Sequence, residues 1–513
     1  MKHTNQSIQL VWFKKDLRIH DHAPLFEAAQ RGPVWAVYVY EPEMIQADDF
    51  DPSHLVFINQ SLSELSQALQ KRGIPLTILK GDLPSAFEQL QQMAPIHTLW
   101  SHEETGNRLT YQRDLRVAQW AKDHHVIWHE IPQTGVIRRL KERKRWATRW
   151  EKRMTETILS PPENIHPGPV VPSVGILSEI DCGLLPSTKI QAQQGGESQA
   201  WKTLQSFLTE RGEFYQKDMS SPSLGWDSCS RMSPYLTFGN ISMRQVVQTS
   251  RQHIERLKER KASGEAIGFW LRSLRSFDKR LHWHCHFMQK LEDEPDIEFE
   301  NFCRTFDGLR ESEFNPRFFE AWKRGETGYP LVDACMRCLH QTGWINFRMR
   351  AMLVSFASYH LWLDWRPTSK YLATQFLDYE PGIHYSQFQM QSGTTGINSI
   401  RIYSPIKQVL DNDPDGVFIK QWVPELANCP NEYLAEPHTL PPLLRSLHHM
   451  NIGNDYPEPI VEHKAVYKLA RDRVYAVKRM TQTREAAKIV LEKHGSRWNQ
   501  NRNDFPARHS LHE

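Results

Sequence analysis

Over its first quarter the chain alternates short β-branched or aromatic runs with amphipathic stretches, and this alternation limits its fold more than any other feature. The runs cover 8–13, 34–40, 76–79, 97–100 and 126–131, and stretches with helical spacing cover 24–30, 54–72, 84–92 and 108–122. Strands joined by helical crossovers build a parallel sheet, and such a sheet takes ligands beyond the carboxyl ends of its strands. The pattern ends near Gly135, where Pro161, Pro162, Pro167, Pro169, Pro172 and Pro186 punctuate a stretch without periodicity. From Trp201 the spacing is mainly helical, with breaks at 220–226, 325–330, 379–382 and 412–416. The expected architecture is an α/β parallel-sheet domain over 1–134, a linker over 135–200 and an all-α domain over 201–505. The last dozen residues are expected to be disordered.

Several function classes drop out on composition. The 513 residues contain no run of eighteen apolar residues, and the start at Met1-Lys2-His3-Thr4 lacks a secretory pattern, so the expectation is a cytoplasmic protein with no membrane span. Seven scattered cysteines do not make a disulfide framework. With a net charge of only +3, affinity for nucleic acid requires a local patch. One candidate is 138–153, with nine basic against two acidic side chains around Trp146 and Trp150. It reads equally as a phosphate-binding surface or as a solvated helix face with both indoles turned to the core. His282, His284 and His286 lack the partners of a metal site, and Cys335 and Cys338 read as helix packing, so no metal is expected.

Five blocks carry a family resemblance. Residues 10–21, LVWFKKDLRIHD, form an opening strand and turn. Residues 228–239, SCSRMSPYLTFG, place hydroxyls, a guanidinium and backbone N–H groups ahead of a helix start, which suits a pyrophosphate and equally suits a helix-capping turn. Then come 327–350, TGYPLVDA to TGWINFRMR, ending in LDWR at 363–366; FLDYEPGIH at 376–384; and YSPIKQ at 403–408 with FIKQWVPEL at 418–426. In this order the blocks resemble the photolyase/cryptochrome superfamily from residue 8 to about 465, with only the linker unmatched.

The resemblance implies an antenna domain, a helical FAD-binding domain, and light-driven electron donation from reduced FAD to a flipped-out pyrimidine dimer in UV-damaged DNA. It implies a monomeric DNA photolyase, a lyase, with a cryptochrome-type blue-light receptor as the alternative and a light-independent redox flavoprotein third. It places Tyr215, Cys229, Ser230, Arg231, Met232, Ser233 and Trp270 on the cofactor, with Ser230, Arg231 and Ser233 at the phosphates. Arg350, Asp378, Tyr379, Glu380 and His384 fall at the ribityl chain and ring, and Arg350 is equally a structural partner for Asp378. Ser273, Ser276, Phe347, Arg348, Met390 and Gln408 fall toward DNA. An antenna chromophore, folate or deazaflavin, is implied near 101–107.

Departures from the family pattern are as informative as matches. His384 stands where photolyases place asparagine beside flavin N5; it reads as a proton-transfer group titrating near neutrality, or as a histidine packed on a backbone carbonyl. Ser273 and Ser276 replace the dimer-contacting glutamate and tryptophan, and Asn346 and Ala351 replace the paired histidines of six-four enzymes. Trp365 matches the middle of the family's tryptophan wire, but Phe388 and Ser312 fall at its ends, leaving Trp362, Tyr359, Tyr385 or Tyr403 as substitutes.

Overall fold

The computed structural model describes residues 8–495; the terminal segment expected to be disordered lies outside them. Strands β1 (Ile8–Phe13), β2 (Val34–Tyr40), β3 (Leu76–Lys80), β4 (Ile96–His102) and β5 (Ile127–Ile131) form one five-stranded sheet in the order β3-β2-β1-β4-β5. Every pairing is parallel. All of β1 is buried, as a central strand covered on both faces must be. Helix α1 (Pro52–Gln70) starts where Asp51 accepts from the Ser53 N–H and Pro52 takes the first turn, and it turns Leu55, Leu62, Leu65 and Leu69 inward. The strand order reverses at β1, so the crevice at the strands' carboxyl ends opens beside the loops after β1 and β4.

The expected linker is a strap as well as a connector. Helix α2 (Trp146–Met154) buries Trp146 and Trp150, one of the two readings left open for the basic segment. Beyond it, Pro167 bridges to Val34, the Val174 N–H donates to the Ile78 carbonyl, and Trp35 Nε1 donates to the Pro169 carbonyl at 2.7 Å. Backbone groups at the sheet's edge thereby acquire partners despite the missing periodicity.

The second domain is helical: α3 (Ser233–Thr237), α4 (Met243–Ala262), α5 (Trp270–Asp293), α6 (Phe347–Ser355), α7 (Trp365–Gln375), α8 (Pro381–Ser392) and α9 (His463–Arg479) are the elements that matter below. Its docking on the sheet domain is specific. The Leu17 N–H donates to the Phe238 carbonyl, Arg18 Nη1 to the Gly239 carbonyl at 2.9 Å, and Asn240 Nδ2 to the Leu17 carbonyl at 3.2 Å. Gly239 has φ +67°, and a Cβ there would sit 2.2 Å from the Lys15 carbonyl oxygen, so both conformation and space require glycine.

Candidate functional site

The segment 228–233 is shaped by an arginine that the sequence reading missed. Arg211 donates to the carbonyls of Asp227 at 2.8 Å and Ser230 at 2.7 Å, and to that of Cys229. With those carbonyls drawn to one side and Arg231 at φ +58°, the backbone N–H groups of 230–233 find no acceptor among the described residues. Successive N–H groups around a left-handed residue form an anion nest. The only sequence signal for Arg211 is a basic side chain shortly before a Ser-rich turn.

Arg231 itself corrects the expectation. Its guanidinium sits in the corner formed by the edge-on indoles of Trp226 and Trp344, 4.2 and 4.0 Å from their centroids, and its Nε donates to Gln193 Oε1 at 3.0 Å. Burial lowers its pKa to about 10. The two rings and Gln193 engage the cation, leaving the backbone of residue 231 as the part turned to the nest. The side chains of Cys229 and Met232 are likewise buried in the helical core, leaving their backbone as the useful part. Tyr215 is buried against Phe207 and Phe277. Trp270 lies edge-on to His253 of α4, a contact within the helix packing.

Beside the nest, Arg350 and Asp378 form a fork, Nη1 to Oδ1 and Nη2 to Oδ2 both at 2.9 Å. Burial would raise the Asp378 pKa, yet Arg350 and a hydrogen bond from Ser233 hold it below the usual value. That Ser233 contact, and Thr237 Oγ1 at 3.4 Å from the Asp378 carbonyl, tie the fork to α3 and the nest. Glu380 is buried, with Lys15 4.0 Å from one oxygen; burial raises its pKa to about 7. Tyr379 donates from Oη to Asp49 at 2.8 Å.

His384 takes the blander of its two readings in one respect: its Nε2 lies 2.8 Å from the Ser369 carbonyl. Burial lowers its pKa to about 4. The ring is therefore neutral near pH 7, with Nε2–H donated to Ser369 and Nδ1 left as an acceptor. The expected titration near neutrality is thereby corrected.

The residues at the wire's positions and the four named substitutes are spread over the helical domain. Phe388 is 4.6 Å from the His384 ring, whereas Trp365 donates from Nε1 to Asn301 Oδ1 and sits 6.5 Å from Tyr385. Trp362 lies against Arg310 and Arg473, and Tyr359 also against Arg310. Tyr403 receives a hydrogen bond from Arg348. Of the four substitutes, Tyr385 borders His384, with ring centroids 5.5 Å apart.

The residues expected to face DNA separate. Phe347 is 45 % exposed, with Arg280 over its ring. Ser276 lies in an open groove beside Arg275, and Met390 is half-buried. Ser273 and Gln408 are corrections: Ser273 is buried and donates to the Glu213 carbonyl at 2.6 Å, and the buried Gln408 accepts from Asn412. A same-helix side chain and a turn carbonyl have claimed both polar groups.

Of the two carboxylates in the segment 101–107, that of Glu103 has no hydrogen-bond or ion-pair partner among the described residues, whereas Glu104 is engaged. Glu104 is buried in an ion cluster with Arg113 and Lys14. A cavity of about 150 Å³ lies at the carboxyl ends of β1 and β2, lined among others by Tyr38, Tyr40, Glu41, Phe50, Asn107 and Tyr379. Asp16 joins another group that spacing did not disclose: its Oδ2 lies 3.0 Å from His22 Nε2 and 2.7 Å from His102 Nδ1, all buried. The Leu25 N–H donates to His22 Nδ1, which places the proton on Nε2, toward Asp16. The arrangement reads as a hydrogen-bonded brace between β1 and β4.

The arrangement was compared with known proteins. Residues 9–143 match the family model described as DNA photolyase, and 277–476 match the FAD binding domain of DNA photolyase. A deoxyribodipyrimidine photo-lyase of Alkalihalophilus pseudofirmus is 27% identical over 91% of this chain and 97% of its own length. Cryptochrome-2 of Arabidopsis thaliana is 28% identical over 94% and 80%. The crystal structure of a bacterial class III photolyase from Agrobacterium tumefaciens superposes with a TM-score of 0.80 at 26% identity, covering 94% of this chain and 99% of that one. With an FAD-binding domain model matched over its helical half and both photolyases and cryptochromes among its relatives, the chain belongs to the photolyase/cryptochrome superfamily.

Proposed function

We propose that the protein is a DNA photolyase that binds FAD and uses blue light to split UV-induced pyrimidine dimers. The observation that supports this reading is that the N–H nest at 230–233 leads into α3, whose Thr237 Oγ1 lies 3.4 Å from the carbonyl of Asp378 in the Arg350–Asp378 fork. An anion site and a fixed, partly exposed cation at one cleft suit a dinucleotide with a diphosphate at one end and a reducible ring at the other. Two buried atoms without a partner among the described residues, Glu380 Oε1 and His284 Nδ1, fit the polar edge of such a group.

FAD, when bound, supplies the light-excited electron donation. The chain's own groups do the rest. Arg211 keeps the nest's carbonyls turned aside, Ser233 and Arg350 hold Asp378, and Arg350 favours negative charge nearby. His384 offers Nδ1 as an acceptor while Ser369 retains its other proton. Phe388 and Tyr385 shield the imidazole from water. The cavity at the carboxyl ends of β1 and β2 is where we place an antenna chromophore of flat heteroaromatic type, against Tyr38 and Tyr40.

A cryptochrome-type photoreceptor is the second reading, favoured by Ser273, whose hydroxyl is spent on backbone where a lesion contact was expected. Illumination of reduced protein with dimer-bearing oligonucleotides tests the two. Restored pyrimidines support repair; no restoration at any flavin redox state refutes it.

A further inference from the structure

Away from the nest, the start of α5 and the end of α4 enclose an open groove of about 620 Å³. Lys261, Arg272, Arg275 and Lys279 line it, and the one acid there, Glu265, is already paired with Arg260. None of these four cations has an ion-pair partner among the described residues; Arg272 is steadied by Gln216 Oε1 at 2.6 Å. Asp278, on α5, is engaged by Arg251, and Glu213 accepts from the Phe269 N–H. Beside the groove two aromatic side chains stand in solvent: Phe214 is 41 % and Phe269 54 % exposed, with centroids 5.5 Å apart. Two large apolar rings displayed together next to uncompensated cations are costly for a surface with nothing to meet.

We propose that this groove binds a single-stranded polynucleotide, its phosphodiesters tracked by Lys261, Arg272, Arg275 and Lys279 and a base stacked on Phe214 or Phe269. Single-strand sites combine these two elements, charge for the backbone and aromatic faces that accept any base. Ser276, one of the residues expected to face DNA, lies in the same groove, and the strand the groove would hold is one that continues past a lesion. The inference rests on the DNA-directed reading above and extends it to undamaged strand.

The test needs neither light nor a lesion. Binding of fluorescent oligo(dT), oligo(rU) and inorganic polyphosphate to the full chain is followed by anisotropy across a salt series. The double variant Arg275→Gln/Lys279→Gln should lower the oligo(dT) salt slope by about 1.4, two contacts at about 0.7 each. An equal charge change on α9, Lys464→Gln/Lys468→Gln, should leave the slope unaltered. Phe214→Ala/Phe269→Ala should weaken oligo(dT) and oligo(rU) about tenfold and polyphosphate not at all. An unchanged slope in the groove variant, an equal drop in the α9 control, or a polyphosphate loss equal to the oligonucleotide loss overturns the proposal. Dimer splitting is assayed separately: wild-type protein that binds oligo(dT) through the groove but splits nothing refutes the repair reading and leaves the groove standing.

Discussion

Arg350 and Asp378 meet as two planes in register, with paired contacts of 2.9 Å and the carboxylate almost wholly out of water. Breaking such a pair from one side strands a buried charge, at a cost of about 3–5 kcal/mol. Arg350→Leu should therefore lose that much in urea unfolding, whereas Asp378→Asn, which leaves the half-solvated partner, should lose less. Equal and small losses would show that the fork contributes nothing to the fold.

Arg211 supports the nest without contacting what the nest would hold. Arg211→Gln should free the carbonyls of 227, 229 and 230 to turn back, raising the dissociation constant for FAD about tenfold, one charged hydrogen-bond network's worth. The check is titration of apoprotein with FAD, read by flavin fluorescence, alongside a circular dichroism spectrum that should match wild type.

The sheet was legible because period-two runs and helical spacing agree over 8–131, and the structure moves element ends by only a few residues, as where α1 begins at Pro52 behind its Asp51 cap. The division of labour in the site was not legible. Whether an arginine in a phosphate-like motif reaches for an anion depends on what flanks it, and Trp344, which helps to enclose Arg231, lies far along the chain. Likewise Ser273 reads as a cavity residue until the Glu213 carbonyl is seen beneath it. Asp16, His22 and His102 become one group only once β1 and β4 are neighbours.

His384 gives a pH prediction whose sign follows from burial. Its folded pKa is about 4 against an ordinary 6.5, so on acidification the unfolded chain takes up the proton first. Stability from this residue is complete above pH 6.5 and is lost as pH falls toward 4, by up to ~3 kcal/mol. His384→Asn should remove that slope. The unfolding free energy of wild type relative to the variant should fall between pH 7.5 and pH 4.5, the wild type losing the more on acidification; a constant difference would contradict a buried neutral imidazole.

Tyr385 is placed to pass an electron inward, because its proton has somewhere to go. Its hydroxyl lies 3.2 Å from that of Tyr379, which in turn donates to Asp49 at 2.8 Å, while its ring borders both His384 and Trp365. Oxidising a tyrosine is easier when the phenol proton can shift along a hydrogen bond, and losing that relay costs at least about tenfold. Tyr385→Phe should slow light-driven reduction of bound flavin by an external thiol by that factor, followed as bleaching of the flavin band. Tyr379→Phe, which interrupts the relay one step further out, should slow it less. Trp362→Phe, whose indole is held between Arg310 and Arg473, should leave the rate unaltered. If Trp362→Phe is the slow variant and Tyr385→Phe is not, the electron enters along the Arg310 side of the domain instead.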